Sequence, residues 1–219
     1  MPAKMGVVVS RPGGFVILLP VKSPGTAKSR MTTLDDADRG RLAGAFAADA
    51  VDACLQTPGV AGVLVVSDDD AFAATLAARG ATTCTDPGGG LNAALRHAAA
   101  VVRDERPDLR PVALCADLPA LAPIDLAAAL EFAATTTACF VRDADGTGTT
   151  FYSAGYDDFD PRFGPDSAQR HSEDALEVPG PMVTLRRDVD DLDGLREAIT
   201  LGVGVATTQA LAVVRLTQD

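Results

Sequence analysis

Histidine is scarce in this chain, with His97 and His171 as the two examples, and neither stands in a serine or cysteine context that signals a nucleophilic triad. A histidine metal cluster is excluded, and both read as surface or internally satisfied residues. The four cysteines, Cys54, Cys84, Cys115 and Cys139, include no CxxC pair, which excludes a zinc ribbon and a small disulfide scaffold. No apolar run approaches the roughly 20 residues of a membrane span, and the apolar stretch near the start is too short for a signal peptide. A cytoplasmic protein without a membrane partner is expected. Basic charge is also short: 30 acidic against 19 basic side chains leave a net charge of -11, the wrong sign for a nucleic-acid partner. Any small anionic substrate must therefore meet a local concentration of Lys and Arg.

What the chain does have is a globular balance of 47% hydrophobic and 22% charged residues over 219 positions. One domain is the simplest reading, with residues 1–14, ending in Pro12-Gly13-Gly14, as a flexible lead-in and 15–219 as the folded unit. Short apolar runs alternate with alanine-rich amphipathic stretches, the pattern of a βαβ protein with a largely parallel sheet. Strands are predicted at 15–19, 62–67, 81–84, 112–115, 138–141, 149–153 and 183–186. Helices are predicted at 38–55, 69–79, 91–104, 123–134 and across the tail from 191 to 214.

In a parallel α/β sheet, ligands bind beyond the carboxyl ends of the strands. The first strand runs into a loop carrying Lys22, Lys28 and Arg30, which is either a triphosphate cradle or a solvated basic loop. It is not a P-loop, because Lys22 and Ala27 occupy the two glycine positions of the GxxxxGK[ST] template. Asp117 directly follows the strand at 112–115, and Asp188 and Asp190 follow the predicted strand at 183–186. Three carboxylates reaching one crevice call for a hard cation such as Mg²⁺. The Asp86–Gly90 turn opens into a helix at Leu91, where Asn92 could offer its amide to a purine edge. Asp145-Gly146-Thr147-Gly148-Thr149-Thr150 offers backbone N–H groups and hydroxyls to a small phosphate or carboxylate, and Ser167 is placed at a helix start, where anions are welcome.

The order of these motifs, ProValLys…AlaLysSerArg, GlyLeuAsnAlaAlaLeu, AlaAspLeuPro, GlyThrGlyThr, ArgPheGlyProAspSer and AspValAsp, resembles the CofC/FbiD guanylyltransferases of deazaflavin coenzyme F-420 biosynthesis. The resemblance implies an α/β fold: a single Rossmann-like, GT-A-like nucleotidyltransferase domain with a mostly parallel central sheet flanked by helices. It implies transfer of GMP from GTP to the phosphate of phosphoenolpyruvate or 2-phospho-L-lactate, with release of pyrophosphate. By the same resemblance Asp117 and Asp188 hold Mg²⁺, with Asp190 a further candidate. Thr149, Gly164 and Ser167 bind the acceptor acid, Lys22, Lys28 and Arg30 face the triphosphate, and Leu91 and Asn92 lie by the base. Where the family commonly continues ThrProXaaAspLeu after AspValAsp, this chain reads Asp191-Leu192-Asp193-Gly194-Leu195, so both later carboxylates stay candidates for the second ligand. The rival readings are a nucleotidyltransferase for 3-phospho-D-glycerate, a molybdopterin or a sugar phosphate, and a non-catalytic nucleotide-binding module.

Overall fold

Phe15–Val21 (β1) is apolar on both faces, because in the computed structural model it lies mid-sheet. The structure describes residues 13–23, 31 and 34–214. Val16 and Leu18 point into one core layer, while Phe15, Ile17, Leu19 and Val21 point into the other. That division is what period-two alternation requires of a strand covered on both sides. Val60–Ser67 (β2) and Arg110–Leu114 (β4) flank β1 in parallel, and Thr82–Thr85 (β3) adds a parallel edge beyond β2. On the other side Thr149–Ala154 (β6) runs antiparallel between β4 and Ala138–Arg142 (β5), and the two-residue Leu176–Glu177 (β7) closes that edge. The strand order is β3-β2-β1-β4-β6-β5-β7, a mostly parallel α/β sheet.

Asp36–Gln56 (α1), Asp70–Ala77 (α2) and Pro123–Ala133 (α4) supply alanine and leucine side chains to one core layer; Leu91–Glu105 (α3) covers the other face. Helix starts follow the sequence: Asp35 and Asp69 cap α1 and α2 by accepting from Asp38 and Phe72 N–H, and Pro123 opens α4. Ser167–His171 (α5) is a single turn packed near β5. Among the described residues, no helix is long and apolar enough to cross a membrane.

Two expectations need correction. Residues 183–186 are not a strand but a helical turn, Val183–Arg186 (α6). Met182 adopts a left-handed conformation at φ 34° and swings the chain out of extended geometry. Thr184 then bonds the Asp125 carboxylate through both its N–H (2.9 Å) and its hydroxyl (2.6 Å), fastening the turn onto α4. The tail is likewise two helices, Leu192–Leu201 (α7) and Val205–Leu211 (α8), broken at Gly202-Val203-Gly204. The buried Asp49 of α1 accepts from the N–H groups of Ala206 and Thr207, both at 2.8 Å, and so docks the first turn of α8.

Candidate active site

Because β1 to β4 are parallel, their carboxyl ends open on one rim, and a crevice of about 330 Å³ lies there. Pro20, Val21 and Lys22 from the end of β1 and Cys115, Ala116 and Asp117 from the end of β4 line one side, where Lys22 and Asp117 bring the charged groups. Ala43 and Ala47 of α1, Phe72 of α2 and Leu91 and Leu95 of α3 form apolar walls, with Phe163 as a further wall. Ser23 ties the basic loop to the end of β2, its N–H lying 3.3 Å from Asp68 Oδ1 and its hydroxyl 3.1 Å from Asp69 Oδ2. Lys28 and Arg30 lie outside the described residues, as do residues 1–12 of the expected lead-in.

At one end of the crevice Asp117, Asp188 and Asp190 each offer a carboxylate oxygen, all within 4.8 Å of one another. Asp117 comes from the strand end, as the sequence suggests. Asp188 and Asp190 arrive differently, from the connection after α6 rather than from a strand, and Val189 N–H donates to the Asp117 carbonyl at 3.0 Å to hold the two segments together. Three hard oxygen donors so close, two half-buried and one exposed, fit an Mg²⁺-like ion by size and softness.

The Gly88-Gly89-Gly90 turn that leads into α3 has φ of 81°, 87° and 91°, a left-handed run that only glycine adopts without strain. Leu91 lines the crevice as the sequence suggests. The Asn92 amide is engaged with the chain: its Nδ2 donates to the Phe163 carbonyl (3.0 Å) and its Oδ1 accepts from Phe163 N–H (2.8 Å). Both ends of the amide are used in clamping the Phe163 segment against α3.

The other candidates gather beyond β4. Thr149 begins β6, and its carbonyl accepts from the Cys115 thiol at 3.4 Å. Gly164, at φ 121°, accepts from Ser167 N–H at 3.1 Å, and Ala168 N–H donates to the Thr147 carbonyl at 3.0 Å. The first N–H groups of α5 are therefore spent on the chain itself, so Ser167 is a buried hydroxyl site rather than an open helix terminus. The GlyThrGlyThr turn is similarly self-satisfied, because Asp143 accepts from Thr147 N–H (3.0 Å) and Gly148 N–H (2.7 Å). A Cβ at Gly148 would collide with that carboxylate, which explains the glycine. His171 is buried and bonded on both ring nitrogens, to Thr149 Oγ1 and Arg162 N–H. The sequence reading as satisfied holds; exposure does not.

The family model for guanylyl transferase CofC-like proteins matches residues 15–217. The chain belongs to this family. A phosphoenolpyruvate guanylyltransferase of Streptomyces coelicolor is 47% identical over 203 residues, covering 90% of this chain and 96% of the relative. This CofC-like chain is accordingly a nucleotidyltransferase. Its fold is shared with solved structures of low identity. A nucleotidyl transferase from Methanothermobacter aligns with a TM-score of 0.54 at 18% identity, covering 86% of this chain and 98% of that one. A Mycobacterium tuberculosis protein solved in complex with manganese aligns with a TM-score of 0.54 at 19% identity, covering 85% and 98%.

Proposed function

We propose that the protein transfers GMP from GTP to the phosphate of phosphoenolpyruvate, releasing pyrophosphate, in the biosynthesis of the deazaflavin coenzyme F-420, in the cytoplasm. The observation that carries this reading is the convergence of Asp117, Asp188 and Asp190 at the end of the crevice between β1 and β4. GTP lies in that crevice with its base toward Leu91 and its triphosphate toward Lys22. The acceptor lies beyond β4, where the hydroxyls of Thr149 and Ser167 and the open backbone at Gly164 receive a small acid.

An acceptor phosphate oxygen attacks the α-phosphorus of GTP, and the bond from that phosphorus to the bridging oxygen of the β-phosphate breaks. No nucleophilic side chain is needed, so the chain's task is positioning and charge neutralisation. Lys22 offsets charge on the departing pyrophosphate. Asp117, Asp188 and Asp190 would hold Mg²⁺, which when bound screens the two anionic substrates from one another. The apolar walls from α1, α2 and α3 keep water from competing with the acceptor.

The test is product analysis by mass spectrometry after incubation with GTP, Mg²⁺ and, separately, phosphoenolpyruvate, 2-phospho-L-lactate and 3-phospho-D-glycerate, with pyrophosphate assayed in each. A guanylated adduct of phosphoenolpyruvate is expected. No adduct with any acid, from folded protein that binds GTP, refutes the reading.

A further inference from the structure

His171 is a buried titratable group that the reaction as written does not use. It is 2% exposed, its ring stacked on Tyr152 at 4.7 Å and met edge-on by Phe163 at 5.4 Å. The backbone N–H of Arg162 donates to Nε2 at 2.9 Å. A backbone N–H can only donate, so Nε2 must keep its lone pair, and the single proton of the neutral ring resides on Nδ1. Nδ1 lies 3.0 Å from Thr149 Oγ1. The ring therefore donates and the threonine oxygen accepts, which leaves the threonine's own proton to point away from the ring. The opposite tautomer would set two N–H groups against each other at Nε2.

We propose that His171 is a positioning residue that turns the Thr149 hydroxyl proton away from the ring and toward the acceptor, so that the acceptor subsite favours an anionic oxygen at that point. The inference rests on the placement of the acceptor at Thr149 proposed above. A threonine free to rotate could accept from an alcohol or amine as readily as donate to a carboxylate; with one of its two lone pairs engaged by Nδ1–H and its proton turned outward, the donating role is favoured. Protonation does not reverse the arrangement at working pH. Burial, and then the charges of Arg162 and Arg170, hold the ring down to about 4 against the opposing pull of Asp160 and of the Ser167 backbone carbonyl as an acceptor. The other charged groups on that side of the ring are Asp158 and Asp174.

The direct test is the tautomer itself, read by long-range proton–nitrogen NMR of wild-type protein labelled in histidine. Only two histidines contribute, so His97 and His171 are separable. A proton on Nδ1 and none on Nε2 of His171 from pH 6 upward is expected, and a proton on Nε2 overturns the proposal. The functional test compares His171→Asn, whose amide nitrogen falls near the Nδ1 position, with His171→Gln, whose amide falls near Nε2 and leaves Thr149 without its donor. His171→Gln should raise the acceptor KM roughly fivefold to tenfold with the GTP KM unchanged, the scale of one ordinary neutral hydrogen bond such as that from His171 to Thr149. His171→Asn should recover most of that loss. In a Thr149→Val background His171→Gln should add nothing further. Equal effects of Asn and Gln, a parallel rise in the GTP KM, or additivity with Thr149→Val would each mean that His171 is merely structural. If Thr149→Val alone leaves the acceptor KM unchanged while guanylation proceeds, the acceptor placement itself fails, and that outcome is distinct from all of these.

Discussion

Replacing Asp190 by Asn removes one of three carboxylates whose oxygens lie within 4.8 Å of each other, and the expected result is a chain that binds Mg²⁺ more weakly and turns over more slowly. A lost carboxylate ligand that weakens Mg²⁺ binding tenfold lowers the stabilisation at a fixed Mg²⁺ concentration by about 1.3 kcal/mol. For a chain of this size each kcal/mol moves the melting temperature by about 2–4 °C. In wild-type protein Mg²⁺ at a hundred times its Kd should restore about 2.7 kcal/mol. The assay is thermal unfolding of wild type and Asp190→Asn in EDTA and across an Mg²⁺ titration, with pyrophosphate release measured on the same samples. At that Mg²⁺ concentration the variant should gain about 3–5 °C less than wild type and turn over more slowly. A variant that gains as much from Mg²⁺ as wild type does would falsify the three-carboxylate metal site.

Lys22→Met should raise the KM for GTP roughly tenfold and leave that for the acceptor unchanged, since the lysine lines the crevice on the β1 side; a change confined to the acceptor KM would move Lys22 to the other substrate. Asp49→Ala takes away two 2.8 Å bonds to the first turn of α8 and should cost ~2–4 kcal/mol by denaturant unfolding. Turnover per folded molecule should survive, and its loss would tie α8 to catalysis. His171 ionises at about 4 in the fold against an ordinary 6.5, so the unfolded chain takes up the proton first as pH falls. The stability it contributes is complete above pH 6.5 and is lost as pH falls through about 4, with a ceiling of about 3 kcal/mol. The difference in urea midpoint between wild type and His171→Gln should shrink from pH 7.5 to pH 4.5, and a constant difference would contradict the burial argument.

The parts of this architecture that read directly from the sequence are those where one local pattern decides the outcome. The central strands β1, β2 and β4 are short apolar runs with no other stable place to go. Asp117 is legible because it follows such a run, and Pro123 because proline favours a helix's first turn. What escapes is what depends on distant partners. Val183–Arg186 has a strand-like composition, yet Asp125, far away in sequence, and the left-handed Met182 make it a helical turn. Asn92 has the side chain of a base reader, but its amide finds Phe163, 71 positions on. No periodicity could place His171 behind Thr149, because the two lie on different elements, 22 positions apart, and meet only through tertiary packing. The two-residue β7 is too short to carry any pattern.

The antiparallel insertion of β6 beside β4 divides the molecule along a seam. On one side lie the parallel strands β3, β2 and β1, with the crevice at their ends; on the other lie the β5–β6 hairpin, β7 and α5. β4 belongs to both, pairing with β1 through Ile17↔Val112 and with β6 through Val112↔Ser153. A chain organised this way can change its acceptor by exchanging the hairpin half when the exchanged segment keeps the side chains that continue both core layers from β1 and β2 into β5 and β6. Chimaeras spliced after β4 between relatives that use different acids should therefore inherit acceptor choice from the donor of residues 138–178 and nucleotide choice from the recipient. The fold is in this sense an interchangeable socket beside a fixed one.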